Sequence, residues 1–168
     1  GPAAGVIAAQ RLAERLAIGN LITFDMGGTT AKASVIEDGL PGRTTEYEVG
    51  SGITLSSRLV KGSGHALKLP VIDLAEVGAG GGSLVRVDPG GALKIGPESA
   101  GAVPGPACYG AGGDRATVTD ANVVLGYLTP TALAGGQVDL HPELARGAIK
   151  RHVADPLGMN LLSAAFGV

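Results

Sequence analysis

Tryptophan is absent from this chain, and three tyrosines and two phenylalanines are its only aromatic residues. Val, Leu, Ile and Ala must therefore build the core. A single cysteine, Cys108, excludes an internal disulfide, and no Cys/His cluster has the spacing of a zinc site. No apolar run reaches the ~20 residues of a membrane span. The start lacks the basic segment and continuous apolar run of a signal peptide. Charge excess is missing too: 13 basic residues stand against 15 acidic ones, with no basic run. That balance argues against a nucleic-acid surface. The expectation is a cytoplasmic protein with no membrane and no nucleic-acid partner.

Glycine is what the chain has in excess. Its 29 glycines in 168 residues are more than double the roughly 7% of average usage. They are neither periodic nor gathered in a low-complexity tract, because apolar runs separate them. The pattern is one of short strands joined by tight turns. The length suits one domain or part of a larger one. Gly1-Pro2 opens the chain without Met, and a helical pattern is cut at Val168, so both ends read as excised.

Read in order, residues 3–17 form a partly amphipathic helix, with Pro2 at its first position and Gly19 as its stop. Its small-residue entry offers free N–H groups to an anion or simply permits close packing. Residues 21–25 and 31–36 are hairpin strands, Glu37-Asp38-Gly39 is a turn, and residues 44–49 are a third strand. This meander suits an antiparallel portion of a mixed sheet. An irregular excursion over 50–69 carries Arg58, Lys61 and His65. His65 is either a solvated loop residue or a ligand contact, and no catalytic role is assigned to it.

Residues 70–77 read as a strand that feeds Gly78-Ala79-Gly80-Gly81-Gly82-Ser83. That glycine run permits close backbone approach, to a phosphate or to the neighbouring helix. Residues 84–88 and 92–95 form a hairpin across Asp88-Pro89-Gly90-Gly91. Prolines and glycines over 96–113 exclude regular structure and leave an ordered loop holding Cys108. Cys108 reads as a packed thiol, since no histidine stands near it in sequence to activate it. A helix starts near 117–122 with Thr119 or Asp120 as its cap, although Asp120 and Asn122 also have ligand chemistry. A loop over 130–137 precedes helices over 142–153 and from 160.

The chain is organised around Phe24-Asp25-Met26-Gly27-Gly28-Thr29-Thr30-Ala31-Lys32. A carboxylate closes the first strand, and glycines and hydroxyls fill the turn. The glycines supply backbone angles that other residues resist. Bare amides and hydroxyls suit a phosphate, and Asp25 suits a metal or a water. An ordinary hairpin with a polar tip has the same spacing.

Asp25 to Thr30 resembles the phosphate-binding hairpin of the actin, sugar-kinase and Hsp70 superfamily. In detail it is similar to the hydantoinase A/5-oxoprolinase family. Further stretches match that family in order: Gly1 to Gly5, Val77 to Ser83, Gly96 to Ala102, Pro104 to Gly110, and Thr117 to Asn122. The resemblance implies an α/β, ribonuclease-H-like fold of the actin-type ATPases, with a mixed sheet flanked by helices. It implies ATP with Mg2+ or Mn2+, a small cyclic-amide substrate, and a B-type partner subunit or domain. Such enzymes phosphorylate an amide oxygen before ring opening; acetone- and acetophenone-type carboxylases are the alternative.

By the same resemblance, Asp25 is the catalytic and metal-binding residue. Gly27, Gly28, Thr29, Thr30, Lys32, Gly80, Gly81 and Gly82 bind the cofactor. Many members have Asp where Lys32 stands here, so a carboxylate role at that position is excluded. The family's earlier phosphate hairpin and later adenosine segment are not in this sequence, which resembles the central part. Such a fragment is expected to be inactive alone.

Overall fold

A computed structural model describes residues 1–45, 47–49, 65–130 and 139–168. The chain divides into two compact units, Gly1–Met26 with Thr30–Gly78, and Gly27–Thr29 with Ala79–Val168.

In the first unit, helix α1 (Pro2–Leu16) starts with proline where an N–H would be orphaned anyway. It ends not at Gly19 but at Ala17, whose φ of 55° lets the Ile18 amide reach back to the Ala13 carbonyl at 2.9 Å. Strands β1 (Leu21–Met26) and β2 (Ala31–Glu37) pair antiparallel from Leu21↔Ile36 to Met26↔Ala31. A two-residue turn with positive φ at Asp38 and Gly39 leads to β3 (Leu40–Pro41). Positive φ at both central residues matches the twist of a hairpin.

The expected third strand is broken into β4 (Arg43–Thr44) and β5 (Tyr47–Val49). The excursion with Arg58 and Lys61 lies outside the described residues up to 64, and His65 opens β6 (His65–Leu67), paired with β5. The strand expected over 70–77 is split into β7 (Val71–Ile72), paired with β4, and β8 (Ala75–Val77), paired with β2. The split lets one segment serve two partners. Val6 and Ala13 of α1 are buried, as are Ala31, Ser34 and Ile36 of β2. The Ser34 hydroxyl donates to the Asp73 carbonyl at 2.7 Å, so its burial leaves no polar atom unmet.

In the second unit, β9 (Ser83–Val87) and β10 (Leu93–Ser99) form the hairpin expected around Asp88-Pro89-Gly90-Gly91. The Asp88 carboxylate takes the amides of Gly90 and Ala92, which fixes the turn and draws its own pKa below the usual value. Regular structure persists further than the breakers suggested. β10 runs to Ser99, and Ala107–Tyr109 make one 3-10 turn. Helices α2 (Val118–Val124), α3 (Pro142–Ile149), α4 (Asp155–Leu157) and α5 (Leu161–Phe166) follow, with a π-helical turn, Lys150–Ala154, between α3 and α4. The loop expected over 130–137 falls outside the described residues from 131. The core is aliphatic and small, including Val85, Cys108, Ala145, Ile149 and Val153. All described strand pairs are antiparallel.

Asp120 holds this core to the proline-rich loop. It is fully buried and accepts from Cys108 N at 2.8 Å, Thr117 N at 3.0 Å, Thr117 Oγ1 at 2.7 Å and Ala107 N at 3.3 Å. The N-cap of α2 is therefore Thr117, not Thr119 or Asp120. Thr117-x-x-Asp120 is a capping box with Asp in the reciprocal position. Asp120 has structural partners, so its carboxylate faces the protein. Burial pushes the Cys108 thiol well up, and the neighbouring Asp120 charge adds to the shift.

Removing four hydrogen bonds from buried donors should be costly. Asp120→Ala is expected to lose at least about 4 kcal/mol, since it strands four buried donors at about 1 kcal/mol or more each. Thermal unfolding should shift down by roughly 8–16 °C or more; a shift of a degree or two would show that Asp120 is dispensable. Cys108 is expected to resist alkylation by iodoacetamide at pH 8 in the folded protein and to react once urea unfolds it.

Candidate functional site

Strand alternation places Asp25, Lys32 and Glu76 in one row across the first unit's sheet. Asp25 pairs in register with Lys32, and Lys32 with Glu76 on its other side. The lysine chooses Glu76, at 3.0 Å, and also donates to the Thr30 hydroxyl. Its side chain is largely buried. Because Thr30 Oγ1 accepts from Lys32, its own hydroxyl hydrogen remains available to a ligand. Asp25 is exposed and has no ion-pair partner among the described residues. Asp25 and Lys32 line a cavity of about 330 Å³ together with Pro2, Gly5 and Val6 from the first turns of α1. No three His, Cys, Asp or Glu side chains gather into a metal-ligating group among the described residues.

In the second unit the turn residues Gly27–Thr29 rest on the glycine run. Gly81 N donates to the Gly27 carbonyl at 2.9 Å, and Gly82 N to the Gly28 carbonyl at 2.7 Å. Gly80 N donates to Ser83 Oγ at 2.8 Å. The amide hydrogens of Gly80, Gly81 and Gly82 are thus all committed within the protein. What these glycines contribute is proximity. A Cβ on Gly80 would stand 2.6 Å from Thr29 N and 2.7 Å from the Gly28 carbonyl carbon. One on Gly82 would stand 2.9 Å from the Gly28 oxygen. The sequence pointed to a phosphate or the neighbouring helix; Gly80 and Gly82 instead meet the hairpin turn, and only Gly81 faces the helix, at Thr119.

This contact orients the turn. In a trans peptide the carbonyl of one residue and the amide hydrogen of the next point opposite ways. With the Gly27 and Gly28 oxygens held by Gly81 and Gly82, the N–H groups of Gly28 and Thr29 point away from the glycine run. Neither finds an acceptor among the described residues. Gly27 and Gly28 do not have positive φ, so the expectation of special backbone angles fails. A Cβ on Gly28 would meet open space. Nothing among the described residues requires a glycine there.

Thr119 is a contact that sequence reasoning missed. Its backbone N–H and its hydroxyl both donate to the Gly81 carbonyl, at 2.7 and 2.8 Å. Only the capping-box spacing, which assigns the cap to Thr117, could have released Thr119 for another task. His65 lies on β6, exposed, and Cys108 is buried. No described helix is long and apolar enough to cross a membrane.

Gly80→Ala is expected to destabilise the fold by about 1–3 kcal/mol, because backbone cannot give way as a flexible side chain does. Thermal unfolding checks this; an unchanged midpoint would mean that the turn and the glycine run separate freely.

The family model for hydantoinase/oxoprolinase matches residues 1–168. An uncharacterized protein of Methanocaldococcus jannaschii is 51% identical over 168 residues, all of this chain and 24% of that protein. The caprolactamase subunit alpha of Pseudomonas jessenii is 40% identical over 168 residues, all of this chain and 22% of the subunit. A chain in the crystal structure of the ATP-dependent caprolactamase from that organism superposes with a TM-score of 0.72 at 39% identity, over 95% of this chain and 21% of its own length. The nucleotide-free structure of acetone carboxylase gives a TM-score of 0.74 at 35% identity, over 97% of this chain and 21% of its own. The chain therefore spans less than a quarter of the length of these relatives, and its α/β fold is of the actin-like ATPase type. On this match along its entire length, the chain belongs to the hydantoinase/oxoprolinase family.

Proposed function

We propose that this chain carries a phosphate-binding turn of an ATP-dependent enzyme that opens cyclic amides. The observation that carries the reading is the pair of consecutive amide hydrogens, on Gly28 and Thr29, directed off the turn with no acceptor among the described residues. Successive N–H groups in a turn can receive an anion together. The bare Cα of Gly28 lets a phosphate oxygen come close. The relative named ATP-dependent caprolactamase supports both the nucleotide and the substrate class.

In this reading the Gly28 and Thr29 amides and the Thr29 hydroxyl hold phosphate oxygens; for the Thr30 hydroxyl the same role rests on the family resemblance alone. Gly27 passes the chain into the turn. Lys32, itself neutralised by Glu76, fixes the Thr30 hydroxyl as a donor rather than reaching the phosphate as a free cation. Gly80, Gly81 and Gly82 act from behind the turn. Asp25 is the exposed carboxylate that would hold Mg2+ or Mn2+, or orient the reacting group. A single carboxylate fits such a metal, which keeps several waters and takes its other ligands from the nucleotide. ATP would supply the phosphoryl group that makes the amide carbon electrophilic: one water would add there as the C–N bond breaks, and a second would release the phosphoryl group as phosphate, leaving an amine and a carboxylate. The protein's share is positioning and charge stabilisation.

A second reading, ATP-dependent carboxylation of a ketone, is favoured by the match to acetone carboxylase. A B-type partner subunit and a cytoplasmic setting belong to the proposal, supported by relatives named as subunits and by the lone buried thiol. The chain by itself is taken as an inactive part of the whole.

The test uses the full-length protein with any partner subunit. ATP hydrolysis stimulated by hydantoin, 5-oxoproline or caprolactam supports the hydrolase; stimulation by a ketone only with bicarbonate supports the carboxylase. Asp25→Ala should lower turnover at least about 100-fold with unchanged thermal unfolding. Retained turnover would remove Asp25 from the mechanism.

A further inference from the structure

We propose that Thr119 is a positioning residue for the phosphate-binding turn, acting through Gly81; this rests on the reading of the turn given above. The connection is continuous and lies wholly within the second unit. Thr119 donates twice to the Gly81 carbonyl, from its amide at 2.7 Å and its hydroxyl at 2.8 Å. The Gly81 amide donates in turn to the Gly27 carbonyl at 2.9 Å. Beside it, Gly82 N holds the Gly28 carbonyl at 2.7 Å, and the Gly82 carbonyl accepts from Ala100 N at 2.8 Å. The two peptide planes that present the Gly28 and Thr29 amides are therefore set by Gly81 and Gly82, and Gly81 is set by Thr119.

Thr119 can do this because it is itself fixed. It is buried in the first turn of α2, and the capping box of Thr117 and Asp120 leaves its hydroxyl free for another acceptor. That hydroxyl also bounds the space beside Gly81, where a Cβ would stand 2.7 Å from Thr119 Oγ1. The residue thus blocks Gly81 from shifting toward the helix and holds it by its carbonyl. Phosphate binding by backbone amides depends on direction, so a small rotation of these peptides misaligns both donors at once.

The expected consequence is specific to nucleotide. In the full-length protein, Thr119→Val keeps the shape and loses the hydroxyl. It should raise the KM for ATP, and the Kd for a non-hydrolysable ATP analogue, about three- to tenfold, the worth of one hydrogen bond. The KM for the cyclic amide should stay within about twofold, because nothing in this connection touches that substrate. Thr119→Ser, which restores the hydroxyl, should return ATP affinity to within about twofold of the parent. Should the valine variant not fold, Thr119→Ala gives the same loss with no added bulk.

Unchanged ATP affinity in a folded Val or Ala variant overturns the proposal. So does an equal loss in the serine variant, or a loss shared equally by both substrates. If the parent binds the analogue and Asp25→Ala abolishes turnover while Thr119→Val is silent, the phosphate-binding reading stands and only the role of Thr119 falls. If the parent protein fails to bind the analogue, both fall.

Discussion

Two hydrogen bonds between main chains organise the candidate site. Gly81 and Gly82 donate to the carbonyls of Gly27 and Gly28, and peptide planarity converts that contact into a direction for the next two amides. The contact is possible only because residues 80 and 82 have no side chains, since a Cβ on either would run into the turn, while one on Gly81 would meet Thr119 Oγ1. The glycine run is therefore a surface against which the turn is pressed. Its own amides are consumed in pressing it.

Support for that surface comes from a buried acid with no chemistry to perform on a ligand. Asp120 gathers the amides of Ala107, Cys108 and Thr117 and the Thr117 hydroxyl, and so ties the proline-rich loop to the start of α2. Four donors meet the two oxygens of this buried side chain, so its burial leaves no polar atom without a partner. Burial first, and the neighbouring Asp120 second, keep Cys108 a thiol. One residue thus completes a helix's capping box, anchors a loop and, with burial, keeps a cysteine unreactive.

Much of the fold was legible in the sequence, and the failures have definite causes. The β1–β2 hairpin and the β9–β10 hairpin were readable because short apolar runs and Gly-Gly or Pro-Gly-Gly turns are local signals. The stop of α1 was misread as Gly19 because glycine is the common left-handed residue, while here Ala17 takes that conformation. The strand over 70–77 was read as one because propensity does not reveal that β7 and β8 serve different partners. The breakers over 96–113 concealed the end of β10, whose pairing with Ser83 resumes past an irregularity.

Composition and order of motifs sufficed to determine the α/β class, the family and the position of Asp25 at the end of a strand, because each depends on residue identity and near neighbours. Tertiary structure decided which amides are spent and which are free. The acceptors of Gly81 and Gly82 lie far back along the chain, and no local pattern encodes the meeting of two glycine turns. It also decided that Lys32 answers Glu76 rather than Asp25, since strand β2 lies between both acids and only the packed side chain selects one.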